Sequence, residues 1–323
     1  MPKALKISLI GILILSSSWG FFGHEKINRL AVFTLPPEMI GFYKKNIQYL
    51  TEASVNPDRR RYAVPDEAAR HFIDMDDYGD SAIIKLPRYW EEAVKKYGED
   101  TLQQRGIVPW HITRMYYRLK DAFFIRDPKR ILTVSAELGH YIADGNVPLH
   151  TTKNYNGQLS GQIGIHALWE SRLPELFSAD YNFLVGKATH IDNVQLRAWI
   201  AVAQANQALD SVLQFEKRIF QKSGDAKFNF ETKGKQTIKV VSPKYAREYH
   251  EMLSGMVERQ MNASIKMVGD VWYTAWVDAG QPDLKVLIGY KPTEEEIKER
   301  VAELAEWKNK NYRAREHEED NGL

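Results

Sequence analysis

Apolar residues recur at helical spacing along most of the chain after its first eighteen positions. Leu30 and Ala31 follow Ile27 by three and four positions, and similar spacing runs through 112–125. Such spacing places apolar side chains on one face of an α-helix. Prolines interrupt the pattern at loop-like intervals, at Pro36, Pro37, Pro57, Pro87, Pro109, Pro128 and Pro148. The sequence therefore predicts an all-α fold of several helices joined by ordered connections.

One segment departs from helical spacing. Residues 227–232 and 237–241 alternate apolar and polar side chains on either side of Lys233-Gly234-Lys235. Alternation with period two around a short glycine-containing link is typical of a β-hairpin. We expect a small hairpin insertion near 227–241 that covers core surface and does not face a substrate.

Composition excludes several classes of protein. The chain has 323 residues, of which 44% are apolar and 27% are charged, so it can bury one large core or two modest ones. Its formal net charge of +2 does not require nucleic acid or an anionic membrane as a partner. Because there is no cysteine, disulfides cannot contribute to stability. Nothing in the sequence implies an obligate protein partner.

The amino terminus has the pattern of a signal peptide over 1–18. Lys3 and Lys6 precede an apolar run over 7–15, and the serines at 16–18 are small residues suited to cleavage before Trp19. The run is shorter than the roughly 20 residues that span a bilayer, so a retained membrane anchor is the weaker alternative. We expect export to the periplasm or the medium, with no transmembrane anchor after processing.

The remaining chain divides into a helical domain over 19–292 and a charged helix over 293–323. Thr293 followed by Glu296 matches a capping box. Ile297, Val301 and Leu304 would share one face of this helix. We expect it to dock on the surface, with partner binding as the alternative.

Two pairs of residues have the spacing of metal ligands. His140 and Asp144 are four positions apart, as are His166 and Glu170, and this spacing puts both members of a pair on one helix face. Imidazole and carboxylate groups are ordinary zinc ligands, whereas all-oxygen sets favour calcium or magnesium. Further candidate ligands are His24, Asp58, His71 and His150.

These residues resemble a known superfamily, which comprises bacterial zinc-dependent phospholipase C and the fungal and plant zinc nucleases that cut single strands. The resemblance covers 19–170. Its motifs are Trp19-Gly20-Phe21-Phe22-Gly23-His24, His71-Phe72-Ile73-Asp74, and the two spaced pairs with His150 between them. It implies a helical phosphodiester hydrolase in which a trinuclear zinc cluster activates water for attack on phosphorus.

The resemblance also implies which residues hold each zinc. One ion would be held by Trp19, through its terminal amine and carbonyl, with His24 and Asp144. A second would be held by Asp58, His71, His140 and Asp144, and a third by His150, His166 and Glu170. Asp66 competes with Asp58 for its assignment.

Catalytic and substrate-binding roles are implied less directly. Asp58 would orient or deprotonate the attacking water. Phe72 would stack on substrate or pack in the core, and Asp74 would contact a ligand histidine or substrate. Arg59 and Lys153 would neutralise an anionic group, although the arginine run at 59–61 is also typical of a solvated loop.

The resemblance implies that the substrate is either phospholipid or single-stranded nucleic acid. Glu170 as the last ligand and the short interval from His150 to His166 resemble the phospholipase branch, whereas the Trp19 to His24 motif resembles the nucleases. Phe22 and Arg59 stand where choline-binding residues are expected, so choline specificity does not carry over. A non-catalytic module held together by zinc is the third and least favoured interpretation. A chain this long can fold without metal, so it does not need zinc for stability alone.

Overall fold

The computed structural model describes residues 21–233, 236–310 and 312, and it confirms the mainly helical fold. The predicted signal peptide, Trp19 and the end of the chain after Tyr312 lie outside the described residues. The α-helices are α1 Phe21–Ala31, α2 Pro37–Lys45, α3 Ile47–Glu52, α4 Asn56–Arg59, α5 Ala82–Lys85, α6 Trp90–Tyr97, α7 Glu99–Arg105, α8 Val108–Phe124, α9 Pro128–Asp144, α10 Leu173–Phe177, α11 Val194–Ser223, α12 Pro243–Met252, α13 Met256–Asp278 and α14 Glu294–Asn309.

Short turns of tighter or wider helix connect these elements. The 3-10 turns are Val32–Thr34, Ala53–Val55, Ala68–His71, Met75–Tyr78, Pro148–Thr151, Gly224–Lys227 and Lys285–Leu287, and Ala167–Arg172 is a π-helix. Prolines begin several of the α-helices, because the missing N–H costs nothing in the first turn. Pro128 begins α9 in this way, after Asp127 caps the helix by accepting from the Arg130 backbone N–H at 3.0 Å.

The predicted hairpin is confirmed. Strands β1 (Phe228–Lys233) and β2 (Gln236–Val241) pair antiparallel, from Phe228 opposite Val241 to Lys233 opposite Gln236. Arg172 Nε donates to the Val241 carbonyl at 3.2 Å and so ties the hairpin to the end of the π-helix.

The core is built around α9, which packs against α1, α8 and α13. The three-residue link between α8 and α9 makes them antiparallel neighbours, and α13 lies across both. Trp272 on α13 is fully buried, and its indole Nε1 donates to the Ser135 carbonyl of α9 at 3.0 Å. The last turn of α9, which carries His140 and Asp144, is thereby fixed from several sides.

Helix α1 approaches α9 closely at Gly139. The Asn28 side chain donates to the Ala136 carbonyl at 2.8 Å and to the Leu50 carbonyl at 3.3 Å. A Cβ at Gly139 would overlap the Asn28 amide, so glycine is required for this approach. One turn before Asn28, His24 is brought over α9, where its ring stacks on His140 with centroids 4.0 Å apart.

The capping box at the start of α14 is present, with Thr293 and Glu296 bonded to each other's backbone N–H groups. The expected apolar face is not buried, since Ile297 is 51% and Val301 62% exposed. The helix is held instead by polar contacts such as Lys129 Nζ to Glu299 at 3.1 Å.

Among the described helices, none combines the length and the apolar character needed to cross a membrane.

Candidate metal centre

Eight predicted ligands converge from separate parts of the chain on one buried cluster. Helix α1 supplies one, the segment from α4 to the following 3-10 turn supplies two, and the last turn of α9 supplies two. The 3-10 turn after α9 and the helix over 165–172 supply the other three. In chain order they are His24, Asp58, His71, His140, Asp144, His150, His166 and Glu170.

The first group consists of Asp58, His71, His140 and Asp144. Asp144 Oδ2 lies 2.9 Å from His71 Nδ1 and 3.2 Å from His140 Nε2, and these two nitrogens are 3.0 Å apart. Asp58 Oδ1 lies 3.5 Å from both nitrogens. Ligands about 2.0–2.1 Å from a tetrahedral zinc are roughly 3.3 Å from one another, so this spacing fits one ion.

The second group consists of His150, His166 and Glu170. Glu170 Oε2 lies 2.8 Å from His166 Nε2 and 3.3 Å from His150 Nε2. The other ring nitrogen of His150, Nδ1, donates to the His71 carbonyl at 2.6 Å. That hydrogen bond places the proton on Nδ1 and leaves Nε2 as the free ligand atom, the usual arrangement around a metal-binding histidine.

The third group consists of His24, Asp144 and Glu170, and it joins the other two. His24 Nε2 lies 3.5 Å from Asp144 Oδ1 and 3.2 Å from Glu170 Oε1. Asp144 and Glu170 therefore each turn one oxygen toward His24 and the other toward a separate pair of histidines. The sharing by Asp144 matches the role implied by the resemblance, whereas the contact of Glu170 with His24 was not expected.

Charge and burial in the cluster favour a bound cation. Burial alone would raise the pKa values of Asp144 and Glu170, but the surrounding histidines hold both pKa values well below their usual range. Burial would lower the pKa of His24, yet the hydrogen bond to Glu170 and the charge of Asp144 raise it to about 9. Asp144 also lies at the carboxyl end of α9, where the helix dipole disfavours a negative charge. The two carboxylates nevertheless stay ionised, and a metal cation between them would take the place of the proton that His24 otherwise carries.

These groups can hold metal ions, and their chemistry fits zinc. Among the described residues, four overlapping sets of three place one ligand atom per residue within 4.8 Å of the others, and the donors are imidazole nitrogens and carboxylate oxygens. The sets are His71, His140 and Asp144; His24, Asp58 and His140; His150, His166 and Glu170; and His24, Asp144 and Glu170. A narrow pocket of about 30 Å³, lined in part by His24 and Glu170, borders the cluster. This volume admits one or two water molecules.

The segment carrying His166 and Glu170 differs from the regular α-helix that their spacing predicts. Residues Ala167–Arg172 form a π-helix that continues into α10. Within this wider turn Glu170 contacts His166 Nε2 through one carboxylate oxygen and His24 through the other. Short π segments inside helices occur frequently at functional sites.

The four residues predicted to bind substrate differ in exposure, since two are exposed and two are buried. Arg59 is exposed beside Asp58, with its guanidinium 3.3 Å from Asn56 Oδ1. Lys153 is half exposed, and its Nζ is paired with Asp77 at 2.7 Å. Phe72 is only 4% exposed, so its ring packs within the protein and presents no open stacking face. Asp74 is buried and does not belong to any of the metal groups.

Three further residues were considered as ligands from the sequence, and the structure describes two of them, Asp66 and His111. Asp66, the competitor of Asp58, is exposed at a positive φ of 63° and belongs to none of the described groups. His111 is buried against the Tyr141 ring, with centroids 4.4 Å apart, and burial holds its pKa well below the usual value. Trp19 lies outside the described residues.

The arginine run does not form a solvated loop. Arg61 is 3% exposed, and Arg60 turns inward to a buried polar cluster with Glu67, Arg70, Glu137 and Tyr141. Burial would raise the pKa of Glu67, but His71 and the two arginines hold that pKa far below its usual range. This cluster lies directly behind the first group. The pairs that Arg60 forms with Glu67 and Glu137 have no regular spacing in the sequence.

No protein-family model and no curated protein matches the sequence.

Proposed function

We propose that the protein is an exported zinc-dependent phosphodiester hydrolase of the phospholipase C type that uses three zinc ions. The observation that carries this proposal is the contiguity of the three buried groups defined above, in which Asp144 links the first group to the third and Glu170 links the second group to the third. A purely structural zinc site is typically closed by four protein ligands around a single ion. The second group has only three described ligands, as a catalytic zinc site does.

The first group would hold one zinc, the second group another, and the third group a further ion together with the terminal amine and carbonyl of Trp19. When bound, zinc supplies Lewis-acid chemistry that lowers the pKa of water and polarises a phosphoryl oxygen. Three zinc ions and the carboxylates of Asp58, Asp144 and Glu170 would leave a net charge of roughly +3. An anionic phosphodiester is therefore a suitable ligand.

The chain's own side chains would orient the reactants. The Asp58 carboxylate reaches His71 and His140 from α4, and we assign it the role of orienting or deprotonating the attacking water. Arg59, exposed beside Asp58, would pair with a phosphate oxygen. Lys153 already pairs with Asp77, so it would contribute mainly by fixing the loop between His150 and His166.

We favour a phospholipid over single-stranded nucleic acid as the proposed substrate. The nuclease alternative drew on Phe72 as a surface for base stacking, and this ring is buried. Glu170 in place of aspartate and the short loop before His166 support the same preference.

The proposal is tested by giving the purified mature protein a panel of phosphatidyl lipids, single-stranded DNA and single-stranded RNA. Release of a phosphorylated headgroup, abolished by a chelator and restored by zinc, is the expected result. Acid-soluble nucleotides would select the nuclease instead. If the zinc-loaded protein formed neither product, the assignment as a phosphodiester hydrolase of these substrates would be wrong.

Adding one alanine ahead of Trp19 in the mature protein is expected to lower both zinc content and turnover. The added residue would move the terminal amine away from His24 and Asp144. Zinc per chain and the specific activity of the extended and mature proteins would be compared, with the mature terminus of each checked by mass spectrometry. Equal zinc content and equal activity would exclude ligation by the terminal amine.

A further inference from the structure

A buried carboxylate lies behind His71, on the side opposite to the first group. His71 Nδ1 faces Asp58 and Asp144, whereas Nε2 points the other way and lies 3.7 Å from Glu67 Oε1. This separation is an ionic contact, longer than a formed hydrogen bond. Glu67 has no exposed surface, so its orientation is fixed by the residues around it.

Those residues hold Glu67 by both carboxylate oxygens. Arg60 Nε donates to Oε2 at 2.9 Å, and Arg70 donates to the same oxygen. The Tyr141 hydroxyl donates to Oε1 and also accepts from Arg60 at 2.8 Å. Since Tyr141 follows His140 and Glu67 precedes His71 by four residues, this cluster adjoins two ligands of the first group.

We propose that Glu67 is a positioning residue for the metal centre. Its carboxylate accepts a hydrogen bond from the His71 Nε2–H group and so directs Nδ1 toward the ion. The inference rests on the proposed metal centre and deepens it. Carboxylates that accept from the second nitrogen of a metal-binding histidine fix its tautomer and increase its basicity as a ligand. Arg60, Arg70 and Tyr141 keep the buried carboxylate ionised and oriented, so that closing the 3.7 Å gap requires only a small shift of the imidazole.

Glu67→Gln is the direct test, because it keeps the shape of the side chain and removes the charge. We expect zinc affinity at one site to fall about 10- to 100-fold, the usual effect of losing such a partner. The affinity would be measured by competition with a chromophoric chelator, and a cobalt-loaded sample would report the altered ligand field.

Glu137→Gln is the matched control. Glu137 accepts from the same Arg60 at 3.1 Å, and no described contact joins it to a ligand histidine. It should leave zinc affinity within about twofold of wild type, while the thermal unfolding of both metal-free variants measures general damage to the cluster. Equal affinity losses in the two variants, or no loss in Glu67→Gln, would overturn the positioning role.

A measurement on the wild-type protein covers the case in which Glu67→Gln does not fold. In the zinc-loaded protein, nitrogen NMR of the histidine side chains should show His71 protonated at Nε2 and metal-bound at Nδ1. A metal-bound or unprotonated Nε2 would refute the inference. A wild-type chain that takes up no zinc would refute the metal centre itself. If the wild-type chain and Glu67→Gln instead bound zinc with equal affinity, only the positioning role of Glu67 would be refuted.

Discussion

His140→Ala is expected to lower the proposed phosphodiesterase activity by at least about 100-fold and to abolish binding of the ion proposed for the first group. His140 Nε2 lies within 3.5 Å of Asp58, His71 and Asp144, so its loss removes a donor from the centre of the group. Losing a hydrogen-bond partner of a ligand already costs about 10- to 100-fold in affinity or activity, and losing the ligand itself should cost more. Zinc content and kcat/KM of the variant would be measured together.

His190→Ala is the control for this substitution. His190 is partly exposed on the loop before α11, where its Nε2 contacts Asp278 at 2.9 Å. We expect this variant to keep its zinc and nearly all its activity. A His140→Ala protein with normal zinc content and normal kcat/KM would show that the first group does not hold the ion used in catalysis.

Removal of metal is expected to lower the midpoint of thermal unfolding by roughly 8–16 °C. A ligand at 1,000 times its dissociation constant stabilises the folded state by about 4 kcal/mol, and each kcal/mol shifts the midpoint of a large domain by about 2–4 °C. The physical reason for the lower midpoint is that Asp144 and Glu170 are buried among histidines, and removal of metal leaves these carboxylates without the proposed zinc ions.

Calorimetry of the zinc-loaded and chelated protein tests this expectation, and addition of zinc to the chelated sample should restore the higher midpoint. The large apolar core around Trp272 remains in either state, so the metal-free chain should still unfold cooperatively. An unchanged midpoint would mean that the ligand groups bind no metal tightly in the folded state.

The sequence was sufficient to predict the helical class, the hairpin and the side-chain contacts of His140 with Asp144 and of His166 with Glu170. These features depend on local spacing, because residues four positions apart share a helix face and alternating residues share a strand face. His140 with Asp144 follows this rule on α9, and the hairpin pairs as expected. Local spacing could not predict how the pairs meet, which depends on the approach of α1 to α9 at Gly139.

Features that depend on tertiary contacts were missed or predicted wrongly. Glu170 contacts His24 from a π-helix, and no simple periodicity in the sequence indicates either feature. The interpretation of 59–61 as a solvated loop was wrong for Arg60 and Arg61, since Glu67 and Glu137 draw Arg60 inward. Long-range ion pairs of this kind leave no regular pattern in the sequence.

Elemental analysis of the mature protein, purified without added chelator, tests the central claim most directly. We expect about three zinc ions per chain, with one fewer after His140→Ala. Two zinc ions or fewer in a folded wild-type chain that begins at Trp19 would contradict the trinuclear centre.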